Sequence, residues 1–159
     1  MGWWPGTGLK RVTAAVMLAA LLCCARALGV TQWQSLPYSV VMSTHIQGLG
    51  QSSTGTSPMR LEHDGLCTLS VSVHQLGDEV LTLGGTGAGR PTLTTAYKIT
   101  GIPAQDTDWV SSSAFLSRTY IIAGNATENM TLWVQGTAPA DSAPEPGNYT
   151  ATIVLTVTF

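Results

Sequence analysis

The C-terminal segment from Asn148 to Phe159 constrains the fold of this chain more than any other part. Apolar side chains occupy every second position, and threonine fills most of the others. A period of two is that of a β-strand with one face in a core and the other in water. We therefore predict one long strand, with its core-facing side chains being Tyr149, Ala151, Ile153, Leu155, Val157 and Phe159.

We expect this strand to lie at the end of its sheet, because no later strand is predicted to pair with it. The outer edge of such a strand carries unpaired amides and carbonyls, which invite pairing with another chain. The pattern therefore favours an assembly role over a catalytic one.

The N-terminal segment 1–27 has the features of a secretory signal peptide. Lys10 and Arg11 precede an apolar run, and Ala25-Arg26-Ala27 gives the small-x-small pattern of a cleavage site. The apolar run from Val12 to Cys24 is shorter than the roughly 20 residues that span a bilayer, which argues against a retained anchor. We expect an exported mature chain that starts near Leu28.

The predicted mature chain is acidic and nearly free of cysteine. It has four basic and nine acidic residues, a net charge of −5, and Cys67 is its single cysteine. Nucleic-acid binding needs clustered Lys and Arg, so we expect no nucleic-acid partner. No internal disulfide can form, so stability must come from the core or from partners.

The segment from Leu36 to Ile46 predicts a second amphipathic strand near the mature N-terminus. Its apolar face is formed by Leu36, Tyr38, Val40, Met42 and Ile46. Residues 47–58 are rich in glycine and serine and predict a flexible linker or an exposed loop. The N-terminal strand is therefore expected to move independently of the rest.

The remainder of the chain predicts short strands separated by Gly/Pro turns and no helix. With the two terminal strands this makes seven, which favours an all-β immunoglobulin-like sandwich, with a small barrel as the alternative. A strand from Phe115 to Ile122 and a short strand from Val80 to Leu83 are included. The other alternating apolar faces are Cys67, Leu69, Val71 and Val73; Leu93, Thr95, Tyr97 and Ile99; and Met130, Leu132 and Val134.

No catalytic, metal or cofactor site is predicted. The glycine loop from Gly84 to Pro91 lacks the Gly-Lys-Ser/Thr ending of a phosphate loop, and a strand follows it. Glu62-His63-Asp64 is expected in an exposed loop, because consecutive residues of an extended chain point in opposite directions and cannot converge on one ion. Cys67 opens an apolar face, so we expect a buried structural thiol and no enzymatic role.

Two surface features remain open from the sequence. Asn125, Asn129 and Asn148 each begin an Asn-x-Thr sequon, which predicts glycosylation in a eukaryotic secretory pathway or chance matches in a threonine-rich chain. Trp133 points away from the face that Leu132 and Val134 share, so it is either a surface residue or an anchor for a subunit contact.

The segment from Gly136 to Phe159 resembles the C-terminal region of pilin subunits assembled by bacterial chaperone-usher systems. Alpha-type subunits similarly carry Thr-Ala-Pro, then Gly-Asn-Tyr, then an alternating strand, and spore-coat-U-like subunits of the archaic systems end in a Gly-x-Tyr strand closed by phenylalanine. The export signal and the low-cysteine all-β body are also similar. Cysteine pairs common in many such subunits are absent.

This resemblance implies an incomplete immunoglobulin-like domain, residues 47–159, whose groove is filled by a donor strand. A periplasmic chaperone and an usher would handle the subunit in the periplasm, and identical or related pilins would join it in a surface fimbrium that supports adhesion. The donor segment is then 28–46, with Leu36, Tyr38, Val40, Met42 and Ile46 as donor residues. The acceptor groove is expected to be lined by Tyr149, Ile153, Leu155, Val157 and Phe159.

The alternative is a self-contained secreted β-sandwich that binds a ligand or receptor and carries N-linked glycans. In that case residues 36–46 pair within their own domain as its first strand, and the loops carry the binding. The two hypotheses differ in where that strand lies.

Overall fold

The computed structural model describes residues 32–35, 46, 48–85, 87–103 and 105–159. The described residues form ten strands and one short helix, arranged in antiparallel sheets. The prediction of an all-β sandwich is confirmed, although strands are more numerous than the seven predicted. In this part of the chain no helix is long and apolar enough to cross a membrane.

A five-stranded sheet, here called the large sheet, forms one layer. Its strand order is β1-β2-β8-β5-β6, and every neighbouring pair is antiparallel. The longest ladder joins β2 to β8, from Ser52 opposite Thr137 to Asp64 opposite Asn125. The strands are β1 (Gln32–Ser35), β2 (Ser52–Asp64), β5 (Thr94–Thr100), β6 (Val110–Ser111) and β8 (Asn125–Thr137).

A three-stranded sheet, the small sheet, forms the second layer. Two short strands outside both sheets pair with each other as a ribbon. The small sheet has the order β10-β3-β7, and the ribbon pairs β4 with β9. The strands of the small sheet are β3 (Cys67–Ser72), β7 (Thr119–Ile122) and β10 (Val154–Thr158). The ribbon strands are β4 (Thr82–Leu83) and β9 (Tyr149–Thr150).

One hydrophobic core lies between the two layers. The predicted alternation holds in β3, β5 and β8, where Leu69, Ile99 and Leu132 belong to the same buried cluster. Burial of apolar area is the main favourable contribution to folding. The fully buried large side chains of this core are Tyr97, Phe115, Met59, Leu61, Leu69, Ile99, Ile122 and Met130.

The predicted linker at 47–58 is wrong over most of its length, because residues from Ser52 onward form the central strand β2. Burial alternates strictly along it, and Ser53, Gly55 and Ser57 occupy the inward positions. The threonines at the intervening positions 54 and 56 suit a pleated surface. Composition indicated flexibility, and no strand was predicted over these residues.

The predicted strand from Phe115 to Ile122 is also partly wrong. Its first residue ends a short helix, α1 (Ser112–Phe115), and only Thr119–Ile122 is a strand. The Ser111 hydroxyl accepts a hydrogen bond from the Ala114 amide and so caps the helix. This turn places the Phe115 ring in the core, stacked on Tyr97 at a centroid distance of 4.9 Å.

The C-terminal segment forms two strands instead of the single long strand predicted. β9 pairs with β4 in the ribbon, and β10 pairs with β3 in the small sheet. Between them the Thr152 amide donates a 2.6 Å hydrogen bond to the Asp78 carbonyl, which lies outside both sheets. The alternation of apolar residues persists through this change of sheet, because Ala151 and Ile153 still pack against the core.

Candidate functional site

The outer edge of β10 is the most distinctive feature of the small sheet. β10 pairs with β3 from Val154 opposite Ser72 to Thr158 opposite Thr68, and it ends the strand order on that side. Within the described ranges, no strand pairs with its other edge. An exposed edge of this kind offers backbone donors and acceptors to an added strand.

Burial changes sharply between β3 and β10. Leu69 and Val71 of β3 are 0% and 4% exposed. Their partners Val157 and Leu155 point to the same core and are only partly buried. Among the described residues, the core therefore lacks a covering strand along this edge, although the apolar residues of β10 already face inward.

The predicted acceptor residues share this partial burial, with one exception. Tyr149, Ile153, Leu155 and Val157 all pack against the core as partly buried residues. Phe159 follows β10 and is 87% exposed. An apolar strip thus runs from the ribbon to the end of the small sheet, and its last side chain extends into solvent.

Most of the predicted donor residues lie outside the described residues, namely Leu36, Tyr38, Val40 and Met42. Ile46 is described, and its partly buried side chain packs against the core of its own chain. A Cβ built on Gly136 would lie 3.7 Å from Ile46 Cδ1 and 2.8 Å from Leu81 Cδ1, so glycine at 136 leaves the space that these side chains use. The backbone of β1, Gln32–Ser35, pairs with β2 of the same chain, from Gln32 opposite Glu62 to Ser35 opposite Arg60.

The three predicted sequons lie on or beside strands. Asn129 and Asn148 are exposed, and Asn125 begins β8. Asn129 alternates with the buried Met130, so its side chain faces away from the core. Glycosylation at these three sites stays a prediction.

The residues Glu62, His63 and Asp64 do not form the exposed loop that was predicted, because they end β2. Glu62 and Asp64 are exposed on one face, while His63 is 3% exposed on the other. The His63 ring nitrogens contact the Gly65 carbonyl at 2.8 Å and Glu128 Oε1 at 3.4 Å. The opposite orientation of neighbouring side chains is as predicted, and no group of three metal-ligating side chains occurs among the described residues.

Cys67 has the environment of a structural thiol. It is 1% exposed in the core. Burial, with a smaller contribution from the nearby Glu128 carboxylate, raises the pKa of the Cys67 thiol. Since the thiolate is the reactive form, this environment disfavours nucleophilic chemistry.

No protein-family model and no curated protein matches this chain.

Two side-chain clusters were missed by the sequence interpretation. Lys98 Nζ lies 4.9 Å from the Trp109 ring centroid and 5.1 Å from that of Trp133. The buried carboxylate of Asp106 accepts a 2.6 Å hydrogen bond from the Tyr120 hydroxyl. Alternation within each strand places Lys98 and Trp133 at outward positions, which is the signal that the sequence offers. The pairing of β5 with β8, which places Lys98 opposite Trp133, could not be read from the sequence.

Proposed function

We propose that this protein is a structural subunit of a surface fimbria, exported to the periplasm and polymerised by donor-strand exchange, in a fimbrium that supports adhesion. The observation that carries the proposal is the edge strand β10, whose apolar residues face the core and remain partly exposed. A strand from a neighbouring subunit would complete both the backbone pairing and the apolar cover.

The predicted donor segment has the chemistry that this edge needs. Its apolar residues recur with a period of two, so one face would meet the exposed strip while backbone groups pair with β10. Full burial of one large apolar side chain contributes about 1.5–3 kcal/mol, before the cost of ordering the donor is subtracted. Several such side chains would give a durable junction.

The proposed partners follow from the same edge. An unpaired edge with apolar flanks promotes aggregation unless it is covered. A periplasmic chaperone would cover it until an usher exchanges the chaperone for the donor segment of an identical or related subunit. This sequence of partners is what the resemblance to chaperone-usher pilins implies.

The test is the mass in solution of the chain from Leu28, compared with a variant that lacks residues 28–46. We expect the full mature chain to polymerise and the truncated form to become a stable monomer when the 28–46 peptide is added. A full mature chain that stays monomeric and stable without any partner would overturn the proposal.

A matched pair of substitutions separates donor function from general solubility. Val40→Asp places a charge on the predicted donor face, whereas Val41→Asp places the same charge on the opposite face. Polymerisation should be lost in Val40→Asp and retained in Val41→Asp, with both proteins still exported. Equal polymerisation of the two variants would contradict a donor role for this face.

The alternative function, a self-contained secreted binding domain, is favoured by two observations. β1 pairs in cis with β2, and Ile46 packs against the core of its own chain. If the intervening segment also stays in cis, deleting 28–46 should unfold the domain and the added peptide should restore it without any polymer of the full chain. The same mass measurements therefore distinguish the two functions.

A further inference from the structure

A polar cleft lies between the segment that leads into β6 and the start of β7. Its volume is about 270 Å³, and its wall includes Asp106, Asp108, Trp109, Arg118 and Tyr120. This volume is just below the ~300–1,000 Å³ of most small-molecule sites, so it suits a ligand of one ring better than an extended one. The core supplies Val110 and Tyr120 to its wall, and the proposed assembly does not use this cleft.

Asp106 forms a fixed wall of the cleft. Its side chain is 4% exposed. Its Oδ2 atom accepts a 2.9 Å hydrogen bond from the Ile99 amide and a 2.6 Å hydrogen bond from the Tyr120 hydroxyl. A carboxylate held from two sides is preorganised, so a ligand that bonds to it need not order it first.

The second carboxylate oxygen and the arginine keep capacity for a ligand. Oδ1 of Asp106 lies 3.6 Å from Arg118 Nε, which is longer than a direct hydrogen bond. Arg118 is 50% exposed, and a guanidinium carries five N–H donors. The exposed Asp108 adds a further acceptor, which also receives a 3.3 Å hydrogen bond from the Thr107 hydroxyl.

Trp109 supplies the aromatic part of the cleft. The Lys98 ammonium, 4.9 Å from its ring centroid, restrains the indole, and the Trp133 ring, with its centroid 5.1 Å from the same ammonium, restrains the lysine. A restrained, partly buried aromatic ring offers flat apolar area at low entropic cost.

These groups together select a class of ligand. Two carboxylates against one guanidinium disfavour a phosphate or another anion. The described residues also lack the three clustered ligands that a metal ion needs. Closely spaced hydrogen-bond donors and acceptors beside an aromatic ring match a ligand whose ring has one apolar face and several hydroxyl groups. We propose that this cleft binds one neutral sugar residue, with Trp109 stacking on the ring and Asp106, Asp108 and Arg118 bonding to its hydroxyls.

The test is an NMR titration of protein purified after expression of the full chain, in solution for a monomer and by magic-angle spinning for a polymer, with the methyl glycosides of glucose, galactose and mannose as probes. We expect at least one glycoside to shift the Trp109 indole N–H signal in a saturable manner. No saturable shift with any of the three, or a shift confined to other tryptophans, would overturn the proposal. Binding of sialylated glycans without any neutral glycoside would also overturn it, because an anion would then be the ligand.

Two pairs of variants assign the binding to the cleft. Trp109→Ala and Trp133→Ala both remove one ring from Lys98, but only Trp109 lines the cleft. Affinity should fall at least about tenfold in Trp109→Ala and stay within about twofold in Trp133→Ala. Asp108→Asn should weaken binding while Asp141→Asn, an exposed carboxylate elsewhere, should not. Equal effects within each pair would contradict the assignment.

A second probe distinguishes binding of a free sugar from binding of the end of a glycan chain. A neutral oligosaccharide that ends in the preferred residue should bind with an affinity close to that of the methyl glycoside, if the cleft reads a glycan end. Folding of every variant is checked by the dispersion of its amide signals, so a loss of binding with native dispersion reports on the cleft itself.

Discussion

Leu155 of β10 lies directly opposite Val71 of β3, yet only Val71 is fully buried. Both side chains point toward the same core, so the difference arises from their places in the sheet. Val71 belongs to the middle strand of the small sheet, although the pairing of β3 with β7 ends one residue earlier at Ser70, whereas Leu155 belongs to a strand that is paired on one side within the part of the chain that the structure describes. The difference in burial between Leu155 and Val71 therefore indicates how far this edge of the small sheet is covered.

This relationship gives a prediction for Leu155→Ala. In the truncated chain before the peptide is added, kept dilute to prevent aggregation, we expect a loss of about 1 kcal/mol in the free energy of unfolding, because the side chain is only partly buried. In the form complemented by the 28–46 peptide, the loss should rise to about 2–4 kcal/mol, the range of a buried leucine. Urea unfolding of both forms provides the measurement.

Val71→Ala is the matched control for that prediction. Since Val71 is already 4% exposed, its loss of about 2 kcal/mol should be the same in both forms. A Leu155→Ala loss that is likewise unchanged by the peptide would contradict the idea that a donor strand covers this edge.

Gly101→Ala is predicted to destabilise the fold through the backbone. Gly101 has φ +91°, and a Cβ there would collide with the Asn129 carbonyl. A backbone collision cannot be relieved by a rotamer change, so we expect a loss of about 3 kcal/mol or more in the free energy of unfolding. Thermal and urea unfolding report it.

Gly89→Ala serves as the control for Gly101→Ala. Gly89 also has positive φ, +74°, but nothing lies within 4 Å of a Cβ placed on it. Only the conformational cost of about 1–2 kcal/mol should appear. Similar losses at the two positions would show that the contact with Asn129 is unimportant.

Periodicity predicted those parts of the fold where one face is buried. In β3, β5 and β8 the alternation of apolar residues identified the inward side chains correctly, because side-chain direction in a strand depends on local geometry alone. The same rule explains why the C-terminal alternation remained correct from Tyr149 to Val157 across the break at Thr152, although Phe159 at its end is exposed. Between β9 and β10 the Thr152 amide donates to the Asp78 carbonyl, a partner distant in sequence that periodicity does not identify.

Amino-acid composition gave a wrong prediction where small residues occupy the inward positions of a strand. Ser53, Gly55 and Ser57 indicate a linker by type, but their close pairing with β8 makes them central. The cleft beside Asp106 could not be predicted, because Tyr120, Arg118 and Trp109 converge there only through the pairing of separate strands and the turn at α1.

Cys67 is predicted to react slowly in the folded protein. It is buried and its thiol pKa is raised, so both access and the thiolate fraction are reduced. At neutral pH a thiol reagent should modify native Cys67 at least about 100-fold more slowly than the urea-unfolded chain. The rate is followed by absorbance of the released thiol product.

A relocated cysteine controls for the reagent. In a Cys67→Ser background, Ser72→Cys places the thiol on the exposed face of the same strand. This variant should react nearly as fast when folded as when unfolded. Rapid modification of native Cys67 would mean that β3 opens readily or that the thiol is not buried.

Alkaline pH is predicted to destabilise the fold through Tyr97 and Tyr120. Burial raises the pKa of both phenols well above the ordinary value, with added effects of the Glu79 charge at Tyr97 and of the hydrogen bond to Asp106 at Tyr120. The folded state therefore retains protons that the unfolded chain releases near pH 10. The stabilising contribution is complete below about pH 10 and is lost as the pH rises above it.

The slope of stability against pH tests this prediction. Each retained proton lowers the free energy of unfolding by at most about 1.4 kcal/mol per pH unit once the unfolded tyrosine has ionised. Urea unfolding between pH 9 and 11.5 should give a slope that decreases in Tyr97→Phe, decreases in Tyr120→Phe and decreases most in the double variant. Because phenylalanine has no proton to release, a double variant with the wild-type slope would exclude these two phenols as its source.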